Sequence, residues 1–204
     1  MSDNQIFVTG GLAALGAIGV AMFIYTQSTG GAMASDDGPG PNLVINVAGE
    51  ATGRIVIDLL PDVAPKHVAQ IVSLANAGAY NNVVFHRVID GFMAQTGDVQ
   101  YGKADADQAR AGQGASDLPN IPAEFSDKPF LRGVVGMARS NDPDSANSQF
   151  FIMFAPGDFL NGQYTVVGHV IEGMEVVDKI KRGTADLNGA VDKPDVITTV
   201  TVTK

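Results

Sequence analysis

The sequence predicts a mainly-β fold, an antiparallel barrel or sandwich carrying two helices. Three observations lead there. Short runs rich in Val, Ile, Phe and Thr recur over residues 42–204, separated by turn residues. Only two stretches space their apolar residues as a helix would. Strands and helices do not alternate, so the rhythm of a parallel sheet is missing.

Taken in order, residues 1–27 come first. No charge lies within residues 6–25. About twenty helical residues at about 1.5 Å each span a bilayer's hydrocarbon layer. Two readings stand open. The length favours a membrane anchor, and Ala32-Met33-Ala34 favours a cleaved secretory signal. Neither flank carries Lys or Arg, so the positive-inside rule assigns no orientation. A buried core helix fits poorly, because residues 28–41, STGGAMASDDGPGP, read as a flexible linker. Any such leading segment would put the protein at the cell envelope, periplasmic or extracytoplasmic, anchored or secreted.

A folded domain is expected over residues 42–204. Residues 43–47 and 53–59 read as strands joined by a hairpin. Residues 61–78 read as a helix, with Asp62 as N-cap, Pro65 in the first turn and Gly78 as the stop. Its apolar face is Val68, Ile71, Val72 and Ala75. Residues 83–88 and 92–95 read as strands around a turn at Asp90-Gly91. Residues 99–129 are a long polar excursion, of a length that is usually functional or mobile. Strands follow at 133–138, 149–154 and 165–170, then a short helix at 173–181 and an alternating strand at 196–202.

Composition narrows the chemistry. The net charge is −9 and no Lys/Arg cluster suggests a phosphate surface, which argues against nucleic acid. Lys179, Lys181 and Arg182 suit a helix C-terminus instead. There is no cysteine, hence no disulfide or thiol chemistry. The three histidines have no metal-ligand spacing, and neither metal nor cofactor is expected. The acidic residues form no catalytic pair, and Gly112-Gln113-Gly114 is too little for a phosphate loop. No repeat or interface pattern calls for more than a monomer.

The richest stretch is 85–98, FHRVIDGFMAQTGD. Arg87 stands on a strand among apolar residues, an expensive place for a charge without a task. Phe92, Met93, Phe151 and Leu160 are candidates for an apolar pocket, and the amides of Gln95 and Gln149 suit gripping peptide backbone. Blander readings stand beside these. Arg87 would be structural if tied to a carboxylate such as Asp90. Alternation puts Phe150 and Phe151 on opposite faces, so only one can line a site. His86 reads as a core or edge residue, and His67 as a solvated helix residue.

Together with AEFSDKPFLRGVVGMA, GVVGMARSNDPDSANSQFFIMF and FLNGQYTVVGHVIEGMEVVDKI, this stretch resembles the cyclophilin-type peptidyl-prolyl isomerases over residues 42–204. The resemblance implies a closed eight-stranded antiparallel barrel capped by two helices, with its site on the outer face. It implies that Arg87 is the catalytic arginine and that Gln95 positions it. Phe92, Met93, Phe151 and Leu160 would receive the proline ring. Ala138, Arg139, Ser140 and Gln149 would form the groove for the residues before proline. Phe159, Tyr164 and Arg139 stand where many eukaryotic members have tryptophan, histidine and asparagine. All three look bacterial, and the first implies weak cyclosporin binding.

The implied substrates are proline-containing polypeptides, unfolded or partly folded. The reaction breaks no bond. Amide rotation faces about 18–20 kcal/mol, and both isomers of an X-Pro bond are populated. A catalyst therefore needs a ring pocket, a peptide grip and a donor aimed at the prolyl nitrogen, rather than a nucleophile or metal. A proline-binding chaperone or assembly module without turnover is the alternative from a different class.

Overall fold

The computed structural model describes residues 37–204. The apolar segment, the cleavage motif and the linker up to residue 36 lie outside the described residues. Among the described residues, no helix is long and apolar enough to cross a membrane.

Nine strands form one antiparallel sheet: β1 (Asn42–Ala48), β2 (Gly53–Leu59), β3 (Val83–Val84), β4 (Arg87–Ile89), β5 (Met93–Thr96), β6 (Val134–Met137), β7 (Phe150–Met153), β8 (Val166–Glu172) and β9 (Val196–Thr203). The spatial order is β3-β9-β1-β2-β8-β6-β7-β5-β4. The expected closed eight-stranded barrel is therefore corrected to a curled, nine-stranded sheet. Its two end strands, β3 and β4, are successive pieces of residues 83–89 and do not pair with each other. The expected single strand breaks at Phe85-His86, so one half pairs with β9 and the other with β5.

Alternation along the strands builds two apolar layers. Inside the curl, Ile45, Ile57, Phe85, Val88, Ala94, Val135, Phe150, Ile152 and Val167 are buried with the apolar face of α1 (Pro65–Asn76). On the outer face a second cluster gathers Met93, Phe130, Val134, Phe151, Met153, Leu160 and Val166. Phe150 and Phe151 thus face opposite layers, as alternation requires.

Two expectations about α1 are corrected. Asp62 is not its cap: residues 61–64 turn back on Leu60, through Val63 and Ala64 N–H bonds to its carbonyl, and the helix begins at Pro65. The carboxylate of Glu124, in the long excursion, instead accepts the N–H groups of Lys66 and His67 at 3.1 Å each. Nor is His67 solvated. It is fully buried, with Nδ1 2.7 Å from Glu124 Oε2. Gly78 does end the helix, at φ +68°, a left-handed turn in which glycine is unstrained. The second helix, α2 (Met174–Val177), is shorter than expected. Lys181 and Arg182 lie beyond it: the Lys181 ammonium reaches the Asp192 carbonyl, and Arg182 sits over Phe154.

Burial alone would raise the Glu124 pKa, but the bonds from His67 and from the two helix N–H groups outweigh it and hold the carboxyl below its ordinary value. A depressed carboxylate stabilises the fold above its unfolded pKa, and that contribution disappears as pH falls through the folded one. Glu124→Gln should cost about 1 kcal/mol at neutral pH, the usual worth of a helix cap. The gap in Tm from the parent should shrink as pH falls below the ordinary glutamate range. A gap independent of pH would refute the charged cap.

Candidate active site

The hairpin β4–β5 carries the centre of the site. Asp90 and Gly91 make the turn, Phe92 N–H closes it on the Ile89 carbonyl at 3.0 Å, and Gly91 takes φ +68°. Arg87 then lies directly opposite Gln95, Gln95 opposite Phe151, and Phe151 opposite Gly136. This cross-strand row places cation, amide and aromatic ring side by side on the outer face. The neighbouring row of Val88, Ala94, Ile152 and Val135 points inward and is almost wholly buried.

Arg87 is held by neutral acceptors. Nη1 donates to Gln95 Oε1 at 3.1 Å, Nε to the Asn188 carbonyl at 3.0 Å, and Nη2 to Asn188 Oδ1 at 3.1 Å. Gln95 Nε2 in turn donates to Gln149 Oε1 at 2.9 Å. Gln149 Nε2 donates to the carbonyls of Gly112 and Gly114 at 3.0 and 2.8 Å. The N–H groups of those glycines donate to Asp98 Oδ2 at 2.7 and 2.9 Å, while Asp98 Oδ1 accepts from Gln100 and Tyr101. One line of hydrogen bonds with a single polarity therefore runs from the excursion to the guanidinium.

Asp90 does not pair with Arg87. It binds Arg182, with Nε 2.9 Å from Oδ1, and no described ion pair includes Arg87. Partial burial lowers the pKa of Arg87, and the field of Tyr164 offsets part of that. An arginine stays protonated at neutral pH, so the site holds an uncompensated cation.

Two adjoining cavities flank it. The first, about 230 Å³, is lined by Arg87, Phe92, Met93, Gln95, Ala138, Arg139, Phe151, Phe159, Leu160 and Tyr164. Its floor is the outer apolar cluster: Met93, Phe151 and Leu160 are buried, and Tyr164 meets Phe151 edge-on at 6.0 Å. Phe159 is 66% exposed and leans on Phe92 at 5.4 Å, forming a rim. The second cavity, about 380 Å³, includes Ser140 and Gln149 in its lining and shares Gln95, Ala138 and Arg139 with the first. Arg139 itself crosses the wall, stacking over Tyr164 at 4.4 Å and donating to the Gln163 and Ser140 carbonyls. All twelve sequence-predicted site residues thus border one or other of two connected hollows.

Sequence reasoning missed several contributors. Asn188 is 101 residues from Arg87 and belongs to no motif in the 85–98 stretch. Asp98 closes that stretch, yet nothing in it shows that its carboxylate will collect four N–H groups. Gly112 and Gly114 are also needed here, as donors to Asp98 and acceptors for Gln149 rather than as a phosphate loop. The available signal was the run of glycines itself, since backbone must approach closely there: a Cβ on Gly114 would lie 2.3 Å from Asp98 Oδ1. His86, buried as expected, packs beneath Gly112, where a Cβ would lie 2.9 Å from its ring.

Comparison with known proteins points to one family. The family "Cyclophilin type peptidyl-prolyl cis-trans isomerase/CLD" matches residues 43–202. A probable peptidyl-prolyl cis-trans isomerase of Brucella suis is 62% identical over 152 residues, 74% of this chain and 78% of that protein. Peptidyl-prolyl cis-trans isomerase B of Escherichia coli is 38% identical over 156 residues, 71% and 90% of the two chains. In structure, a cyclophilin from Hirschia baltica superposes with a TM-score of 0.64 at 26% identity, covering 82% of this chain and 74% of its own.

Gly136 is tightly packed behind the floor of the first cavity. A Cβ there would lie 2.6 Å from both Phe130 and Phe151, whose rings stack at 5.8 Å. Gly136→Ala should therefore displace Phe151 and destabilise the fold by about 1–3 kcal/mol. Denaturant unfolding and the aromatic side-chain NMR shifts of Phe151 should both register the change, and an unmoved Phe151 would refute the account of this contact.

Proposed function

Since this chain belongs to the cyclophilin-type peptidyl-prolyl cis-trans isomerases, a class of isomerase under EC 5.2.1.8, we propose that residues 87–164 twist X-Pro bonds in unfolded or partly folded chains at the cell envelope. One observation carries the site assignment: a guanidinium without a carboxylate partner, held rigidly by neutral groups, stands at the lip of an apolar hollow.

The physical steps follow from that geometry. The proline ring enters the 230 Å³ hollow and rests on Met93, Phe151 and Leu160. Burying an apolar ring there is favourable by about 25 cal/mol for each Å² removed from water. The residues before proline lie in the second hollow, between Ala138, Ser140 and Gln149. Gripped on both sides, the prolyl bond is left free to rotate. Planar amide nitrogen is a poor acceptor, but rotation breaks its resonance and returns the lone pair. Arginine has five N–H donors, and three of those of Arg87 are engaged by protein oxygens. A fourth, on Nη1, points at Met93 Sδ at 4.0 Å, which leaves the second N–H of Nη2 available to the twisted nitrogen. That donor binds the transition state better than the planar ground state, which is the condition for acceleration.

Phe159 offers no N–H donor where an indole would, which supports weak cyclosporin binding. A monomer suffices for this scheme, because the residues of both hollows come from one chain. The envelope location rests on the charge-free segment 6–25, with anchor and cleaved signal both open. A binding module without turnover is less well supported, because a peptide grip alone has no use for the isolated cation.

Arg87→Ala should lower kcat/KM for a proline-containing peptide by about 10²- to 10³-fold, the usual cost of removing one transition-state donor. Binding of the same peptide should weaken little. Unchanged turnover would refute the assignment of Arg87 and favour the binding module. Mass spectrometry of the mature N-terminus decides the leading segment: a chain beginning at Ser35 excludes an anchor.

A further inference from the structure

We propose that Asn188 is a positioning residue for the reaction. From a left-handed turn on the outer edge of β4, it grips Arg87 from behind through two oxygens. It thereby sets the direction in which the guanidinium presents its free N–H bond. This rests on the reading of Arg87 given above.

The turn is built onto the edge strand. Val88 N–H donates to the Gly189 carbonyl at 2.7 Å, Gly183 N–H to the Val88 carbonyl at 2.9 Å, and Val191 N–H to the His86 carbonyl at 3.2 Å. Residues 183–191 therefore cap the otherwise unpaired side of β4, a position edge strands commonly protect. The approach is close enough to require glycine at 189. With φ +81°, a Cβ there would lie 2.5 Å from Ile89 Cγ1. Asn188 before it has φ 53° and ψ 36°, a conformation that asparagine tolerates better than most residues.

This places the Asn188 carbonyl against Nε and its Oδ1 against Nη2, so both oxygens take one edge of the planar fork. Packing alone would not hold the fork. A hollow of about 200 Å³ opens beside it, bordered by Gln95, Gly112, Leu187 and Asn188. Without Oδ1 the guanidinium has room to turn out of line. An amide fulfils this role without adding charge. Its oxygen orients the cation and leaves its field for the substrate.

Asn188→Gly keeps the left-handed turn and the backbone acceptor but removes Oδ1. In the full chain it should lower kcat by about tenfold, since small misplacements of a catalytic group are costly. KM should change little and Tm should be retained. The Nη resonances of Arg87, held apart by restricted rotation in the parent, should merge. In an Arg87→Lys background, which lacks the fork, the same substitution should leave the residual rate almost unchanged. Asn188→Asp keeps both the turn and Oδ1, so it should preserve the separated resonances. A parental kcat and spectrum in Asn188→Gly, or an equal loss in both backgrounds, would overturn the inference. Arg87→Ala distinguishes the two levels: if that variant is fully active, the reading of Arg87 fails first. If it is inactive while Asn188→Gly is unaffected, only the role of Asn188 fails.

Discussion

The structure depends on holding one cation still without neutralising it. A charge taken partly out of water needs partners, and the usual partner, a carboxylate, would cancel the field that the proposed mechanism directs at the substrate. Here every oxygen bonded to Arg87 is neutral: the side-chain amide of Gln95 and two oxygens of Asn188. The nearest acidic side chain in sequence, Asp90, is occupied by Arg182. The carboxylate that does serve the site, Asp98, acts at the far end of the line, ordering backbone through four N–H bonds. It is linked to Arg87 indirectly, through glycine backbone and two glutamines.

That requirement explains several features of the fold. Amide-to-amide contacts tolerate little change in distance, so the registers of β4 with β5 and of β5 with β7 must be set to the residue. A slip of one would send Arg87 or Gln95 into the core. The short hairpin turn and the inward row of Val88, Ala94, Ile152 and Val135 oppose such a slip. The sheet also has to end at β4. A further strand there would occupy the edge on which residues 183–191 lie and would exclude Asn188. The break at Phe85-His86 is thus compatible with the site: it separates the part of the chain that pairs with β9 from the part that carries the cation.

What could be read from the sequence follows how far apart the cooperating residues lie. Strand and helix positions rest on local periodicity and came within a few residues of the observed ones. Alternation alone sent Phe150 and Phe151 to opposite layers. The motif around Arg87 is contiguous, so its residues could be named at once, and the family resemblance carried the reading on to the distant Gln149, Phe151, Leu160 and Tyr164. Asn188 and Glu124 act across 101 and 57 residues, and no local pattern links them to their partners. Asp62 has the ordinary signature of a cap, but the turn at Leu60 delays the helix start and gives the work to Glu124. His67 looked solvated because a histidine on a helix normally is. Its burial depends on a loop whose path no periodicity describes. The closed barrel was what the resemblance implied, whereas the residues left barrel and sandwich open; propensity marks residues 83–88 as one strand, and only pairing shows the break.

The division of labour between the two apolar layers bears on how the site can vary. The inner layer, joined to α1, holds the sheet in its curl. The outer cluster under the cavity contributes packing too, but its rim, the exposed Phe159 leaning on the partly buried Phe92, faces the cavity mouth more than the core. Changes at the rim should alter which peptides fit at little cost to the fold. Changes at Gly136 or Phe151 affect both, because the floor of the cavity is packed as tightly as the interior. Substitution at the rim and invariance of the floor would let one rigid cation serve different proline-containing chains. The rigidity comes from the hydrogen-bonded line behind Arg87, which the rim residues do not touch.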